Sequence, residues 1–429
     1  VSSKLRRVLV LGINHPPEPS GISPYTGSLA QGLTKTGYKV RVLTTHPHYP
    51  QWTIADGYGQ WRRQDDYDGT RVDRLLHYVP RRPSGLRRVA SEASFGARLV
   101  ASRWGEPSAI IAVSPALIST ALARARSLIT HRKIPFVVWV QDLYSLGMSE
   151  TGQGAGLTLK VMQIIEGWVL RNASQIVVIH ERFARRVSED FNIPPSRITV
   201  IRNWTHLGQT ERVDPESARA GLGWSPDETI VLHAGNMGVK QGLDNVVEAA
   251  RLADAGSHKV RFVFLGAGSD RARLVALADG IESAVFMDSL PDAEFAAALQ
   301  SADILLVNEK PGVSEMAVPS KLTSYFSAGR PVLAATDLTG ITAEELRNAG
   351  AGVVVPAGDP HALIEGVRAI ASDPARAREY GANGQRFRAT VLDETTAIDA
   401  FDSMLSSLID GDDSRSDRTQ QKATNGSTT

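Results

Sequence analysis

Residues 308–332 read NEKPGVSEMAVPSKLTSYFSAGRPV, and this stretch decides the fold. The apolar run just before it, 304–307, has strand length. A polar loop follows, Pro319 opens a small-residue helix, Gly329 ends it, and Arg330-Pro331-Val332 begins another strand. Proline inside the start and glycine past the end match the usual asymmetry of helix caps. The N–H groups of the first helical turn have no partner within the helix and carry the positive end of its dipole. The position above them therefore suits an anion, a phosphate above all.

The same alternation runs outward in both directions. Candidate strands at 229–233, 260–265, 284–287, 303–307, 331–335 and 352–355 are separated by helical patterns. An earlier series lies at 7–11, 39–44, 109–113, 136–140 and 175–179, with helices beginning near Ser23, Ser91, Pro115, Leu157 and Glu181. Short apolar runs divided by helices indicate parallel sheets with crossover helices. The pattern pauses over 203–228, read as a linker with an entry helix. The chain is thus expected to be α/β, with two doubly wound Rossmann-like domains, 1–205 and 206–390, facing a central cleft at the carboxyl ends of their strands. From Pro374 the pattern is purely helical. The polar end, 411–429, reads as a disordered tail.

Composition narrows the function classes. A chain of 429 residues, 42% hydrophobic, has material for two cores. The net charge of +1 gives no bulk attraction to nucleic acid, and the absence of cysteine removes disulfides and thiolate metal sites. No apolar run approaches the ~20 residues of a membrane span. The basic opening VSSKLRRVLVLG leads straight into a strand, whereas a signal peptide needs a longer apolar core and a cleavage site. Together these features point to a cytoplasmic enzyme.

Several loops carry candidate chemistry. After the first strand, Ser20-Gly21-Ile22 precedes a helix, and Gly21 allows close approach of a phosphate. The next strand runs into THPHYPQW, where His46 and His48 lack a third nearby metal ligand; His48 suits the lining of a sugar site as well as a packed loop. Residues 81–103 interleave six arginines with Leu86, Val89, Phe95, Leu99 and Trp104, which fits peripheral contact with an anionic bilayer or a solvated helix face. Gln141-Asp142 stands at a strand end. In HAGNMGVKQGLD (233–244), Lys240 is the one cation, able to reach a diphosphate. FLGAGSD (264–270) has a Gly-x-Gly at Gly266 without the full dinucleotide fingerprint. The acidic runs Asp66-Tyr67-Asp68 and 410–413 fall in a turn and in the tail, away from strand ends, so no catalytic metal is expected.

The segment PSKLTSYFSAGRPV resembles the donor-binding helix of family 4 glycosyltransferases, retaining enzymes of the GT-B fold, in their exopolysaccharide and colanic-acid branch. The resemblance runs from Val8 to about Leu408. It implies an acceptor-binding first domain, a nucleotide-sugar-binding second domain, and a last helix, 391–410, crossing back to the first. It implies donor contacts at Gly21, Asn236, Lys240, Gly266, Ser320, Thr323 and Ser324 and at the backbone N–H groups of Lys321 and Leu322. Asp142 and Glu315 are the implied catalytic carboxylates, with His48 and Gln141 on the acceptor side. The chain also departs from the family. Asn236 and Gln241 stand where the family has arginine and lysine, Gln141 stands where it often has histidine, and Ser324 replaces the second glutamate of its glutamate pair, with Glu315 one residue early for the first. The implied reaction moves a sugar from a nucleotide-diphosphate sugar to a glycan, lipid-linked or small-molecule hydroxyl, with no metal and no other cofactor. A sugar-nucleotide epimerase of the same fold, and a relative that binds without turnover, are the alternatives.

Overall fold

The computed structural model describes all residues except 1–5, 19–20, 82–84, 146–155, 205–212, 257–258, 313–320 and 426–429, and beyond Gly411 it describes the backbone only. The chain divides into two compact units, Val1–His206 with Glu394–Thr429, and Leu207–Asp393.

The first unit runs β1 (Arg7–Leu11), α1 (Ser23–Lys35), β2 (Lys39–Thr45), β3 (Arg62–Tyr67), β4 (Thr70–Leu75), α2 (Leu86–Ala101), β5 (Ala109–Ser114), α3 (Leu117–Thr130), β6 (Phe136–Val140), α4 (Leu157–Asn172), β7 (Gln175–Val178), α5 (Glu181–Phe191) and β8 (Ile198–Val200). Its sheet has the order β3-β4-β2-β1-β5-β6-β7-β8, parallel except for the β3–β4 hairpin. The central strands AIIAVS and FVVWV are buried along their whole length, as a sheet covered on both faces requires. The strand order reverses between β1 and β5.

Strand β3 was not anticipated, because RRQDDY has no apolar face to read. Charge pairing holds it. Asp73 on β4 is fully buried and takes Arg41 at 2.6 Å, Arg62 at 2.9 Å and Arg71 at 3.2 Å, which keeps its carboxyl below the usual range despite burial. Arg74, also buried, reaches back to Asp65 at 2.6 Å. Asp68 and Gly69, both at positive φ, make the two-residue turn between these strands.

The second unit runs α6 (Pro215–Gly221), β9 (Thr229–Ala234), α7 (Asp244–Ala255), β10 (Val260–Leu265), α8 (Arg271–Leu277), β11 (Ala284–Met287), α9 (Asp292–Ser301), β12 (Ile304–Asn308), α10 (Lys321–Ala328), β13 (Val332–Thr336), α11 (Ile341–Ala349), β14 (Gly352–Pro356), α12 (Pro360–Ala371) and α13 (Pro374–Thr390). Its six parallel strands have the order β11-β10-β9-β12-β13-β14, reversing between β9 and β12. Apolar clusters fill both faces of this sheet.

The chain then returns to the first unit as α14 (Glu394–Asn425). Ala397, Ile398, Phe401 and Leu405 repeat at helical spacing and join the core of β1, β5 and β6 with Leu29, Trp139 and Trp204. The helix continues past Ile409 through residues expected to form a disordered tail. Residues 411–425 contain no proline to stop the helix, but Gly, Asp, Ser, Thr and Asn, all weak helix formers, outnumber Arg, Gln, Lys and Ala there, so helix propensity does not explain the extension.

Helix α2 turns the apolar side of the basic stretch inward. Phe95, Leu99 and Trp104 are buried, Arg98 stacks on Trp61 at 3.5 Å, and Leu86 remains 83% exposed. Glu92, on the same inner side, accepts the Ile118 N–H at the start of α3 (3.1 Å) and lies 3.6 Å from Arg88. Burial pushes its carboxyl up to about 7. The folded protein therefore holds this proton at pH values where the unfolded chain has released it. Its stabilising contribution is complete below the ordinary glutamate pKa of 4.5 and is lost as pH rises through about 7. We expect Glu92→Gln to gain stability relative to wild type between pH 5 and 8, by about 3 kcal/mol when fully developed. Melting curves across that range check it; a constant difference contradicts it.

Candidate donor and acceptor sites

The second unit gathers most of the predicted donor residues at its strand reversal. The loop after β9 lies against the loop after β10. Gly235 N–H donates to Leu265 O (2.9 Å), Met237 N–H to Ala267 O (2.9 Å) and Asp270 N–H to Met237 O (3.0 Å). The approach is so close that a Cβ at Gly266 would stand 2.4 Å from Gly235 O, and one at Gly268 2.2 Å from Met237 O. This explains the Gly-x-Gly: two backbones need the space. Asn236 is exposed at the tip of this arrangement.

The next turn, Val239–Gln241, carries an exposed Lys240. Gln241 folds back instead, its Oε1 accepting Gly238 N–H at 3.0 Å. Asn308, buried at the end of β12, clamps the turn by donating to Gln241 O (2.7 Å) and Gly242 O (2.9 Å). Lys310 N–H adds a bond to Lys240 O (2.9 Å).

Helix α10 brings Lys321, Leu322, Thr323 and Ser324 to the same edge. Leu322 is core, so only its N–H is available to a ligand; Thr323 is largely buried and Ser324 partly exposed. Tyr325 fixes the helix to the sheet: its buried hydroxyl accepts Ala234 N–H at 2.9 Å and lies 3.3 Å from the carbonyl oxygens of Ala234 and Leu306. Glu315 and Ser320 lie outside the described residues.

The side chain of Lys321 is a feature that sequence reading did not use. Its Nζ lies 3.4 Å from Nε2 of His233, the buried residue near the end of β9. Burial and the neighbouring ammonium keep His233 neutral, its pKa well below the usual imidazole value. Burial lowers Lys321 to about 8, against the opposing attraction of Glu309. Glu309 is held by the hydroxyls of Thr336 and Thr342, the latter at 2.7 Å; burial raises its pKa while those hydroxyls and Lys321 favour the anion. The glutamate directly after β12 and the lysine of PSK, which opens the helix that follows that strand, were the available signals, since doubly wound sheets bind ligands beyond the carboxyl ends of their strands.

In the first unit, Gly21 has φ 68° and faces the Tyr49 ring. Glu18 is buried and accepts the N–H groups of His48 (2.8 Å) and Tyr49 (2.9 Å) and the Asn14 amide (2.8 Å). His48 is buried too, its ring 4.9 Å from that of His77, which burial keeps neutral with a pKa of about 3. Gln141 exchanges two amide bonds with Asn203 (2.7 and 3.1 Å), so its polar atoms pin the chain leaving β8. Asp142 is partly buried near Glu166, which accepts Tyr144 N–H at 2.7 Å and whose carboxyl burial raises. Among the described residues no group of His, Asp and Glu forms a metal site, and no helix is long and apolar enough to cross a membrane.

Comparison with known proteins agrees with this architecture. Residues 20–204 match the family model for a glycosyl transferase 4-like domain, and residues 214–387 that for glycosyl transferases group 1. The chain is 31% identical over 398 residues to WcaI of Escherichia coli K12, a glycosyl transferase assigned to colanic acid biosynthesis, covering 87% of this chain and 95% of WcaI. Among solved structures, sucrose-phosphate synthase of Thermosynechococcus elongatus superposes with a TM-score of 0.69 at 19% identity, over 95% of this chain and all of that one. HepE of Anabaena, in complex with UDP-glucose, superposes with a TM-score of 0.67 at 15% identity, over 94% of this chain and 99% of HepE. Two parallel doubly wound sheets, the glycine-paired loops after β9 and β10, and these matches across the chain lead to one assignment: this protein is a glycosyltransferase of family 4, with the GT-B fold.

Proposed function

We propose that the protein transfers a sugar, with retention of configuration and without a metal ion, from a nucleotide-diphosphate sugar to a hydroxyl of a glycan, lipid-linked or small-molecule acceptor. The observation that carries the donor reading is the convergence at the β9/β12 reversal. Paired loops, the first-turn N–H groups of α10 and a lysine all meet where a diphosphate would gain charge. Stabilising that leaving group is the main catalytic demand, and preorganised N–H groups and a cation supply it. HepE, which shares the fold, is crystallised with UDP-glucose. WcaI, the sequence relative, supports exopolysaccharide synthesis as the setting.

In this reading the second unit holds the donor, with Asn236, Gly266, Thr323, Ser324 and Lys240 around it; the family resemblance adds Glu315 and Ser320, which lie outside the described residues. Gly21, His48, Gln141 and Asp142 belong to the acceptor unit. The donor's own phosphate helps to deprotonate the acceptor, so no protein nucleophile is needed. A nucleotide-sugar donor favours action in the cytoplasm or at the inner face of a membrane. Among the described residues of 81–103, Phe95 and Leu99 are core, while Leu86 and Val100 are exposed and would be available to such a membrane with the neighbouring arginines.

The test is calorimetric titration with UDP, ADP, GDP and dTDP, followed by turnover of the sugar donor on the base that binds. We expect one base to be preferred and turnover to survive EDTA. Loss of activity on chelation, restored only by manganese or magnesium, overturns metal independence. Failure to bind any of the four nucleotides overturns the donor reading.

A further inference from the structure

We infer that Lys321 is the cation that holds the donor diphosphate in this chain, positioned by His233 with Glu309 as a nearby opposing charge, and that it takes over the duty of the two basic residues its glycine loop lacks. The inference rests on the donor reading above.

Four observations lead to it. The loop after β9 is neutral where charge is expected: Asn236 is an amide, and Gln241 spends its Oε1 on Gly238 N–H at 3.0 Å. Lys240 is a cation, but it is exposed on the outer turn, where water weakens its attraction for a phosphate. Lys321 instead opens α10, so its ammonium and the first-turn N–H groups of that helix act on one region. Finally, its Nζ lies 3.4 Å from His233 Nε2, at the strand reversal where doubly wound sheets bind their ligands.

The surrounding groups act on the charge of this lysine in opposed ways. His233 is neutral, so its ring can accept from the ammonium without repelling it. Glu309 supplies the opposing charge, while the hydroxyls of Thr336 and Thr342 donate to its oxygens. The ammonium is therefore partly desolvated and only partly neutralised, which leaves it free energy to gain from a phosphate. Tyr325, on the helix's own next turn, is bound to the sheet and contributes no charge. Because burial sets Lys321 to about 8, its charge titrates in an accessible range, unlike that of a solvated lysine.

The experiment measures affinity for the nucleoside diphosphate that the wild type prefers, and for the matching monophosphate, by calorimetry on the full chain. Lys321→Met keeps the apolar stem and removes the charge. Diphosphate affinity should fall roughly 10- to 100-fold, with a smaller loss for the monophosphate. Lys240→Ala should cost less. In the wild type, diphosphate affinity should decline as pH rises above about 8, by up to tenfold per unit. Lys321→Arg should remove that decline, since arginine stays charged. Glu309→Gln should move the decline to lower pH, a shift that a merely structural residue would not produce. Should Lys321→Met not fold, the arginine and glutamine variants carry the test through the pH profile alone. Wild-type affinity in Lys321→Met, or an identical alkaline decline in Lys321→Arg, overturns the inference and leaves the donor reading intact. Absence of nucleotide binding by the wild type overturns both.

Discussion

Gly268→Ala is expected to remove measurable nucleotide binding and to lower stability by about 3 kcal/mol. A Cβ at this position would stand 2.2 Å from Met237 O and 2.5 Å from Met237 N. These are backbone atoms, already tied to the opposite loop through Ala267 O and Asp270 N–H, so neither can turn aside as a flexible side chain would. The loops after β9 and β10 would have to separate, and the N–H groups proposed to face the donor would lose their alignment. Thermal unfolding and nucleotide calorimetry on the variant check both parts. A variant that melts and binds like wild type shows that the two loops are not packed as described.

The second large effect is in the other unit. Phe401→Ala should destabilise the protein by about 4 kcal/mol, the usual range for deleting a buried phenyl ring. Phe401 is fully buried, with its ring centroid 5.2 Å from that of Trp139, which stacks in turn on Trp204. Trp204 Nε1–H donates to Ser28 at 2.8 Å, so this cluster joins β6, the segment after β8, α1 and α14. The loss should appear as a lower melting temperature and as faster amide exchange over 394–410. Unchanged exchange there would mean that α14 is held by its other contacts.

Much of this organisation is legible in the sequence, for a physical reason. Parallel strands covered on both faces must be almost wholly apolar, so runs such as 109–113, 136–140 and 304–307 announce themselves. Strand β3 does not, since an edge strand held by Arg–Asp pairs carries no hydrophobic signal. The helical end of the chain is not legible either: its apolar spacing stops after Ile409, and the residues beyond are mostly weak helix formers.

At the site, the glycines could be read because close backbone approach leaves no substitute for them. The roles of Gln241 and Lys321 could not. Whether a glutamine side chain faces a ligand or caps its own turn depends on one rotamer. Lys321 was read for its backbone N–H, because sequence spacing does not show that its ammonium reaches His233, 88 positions earlier, across the reversal between β9 and β12. Gln141 teaches the same point in the first unit, where a strand-end amide is taken up by Asn203.

The central claim is that the nucleotide sits over the β9/β12 reversal of the second unit. Amide hydrogen exchange of the full chain, with and without a saturating nucleoside diphosphate, tests it most directly. The account predicts protection at 235–242, 266–270 and 321–325, with little change around β3 and β4. Protection confined to the first unit, with those three segments unchanged, would contradict it.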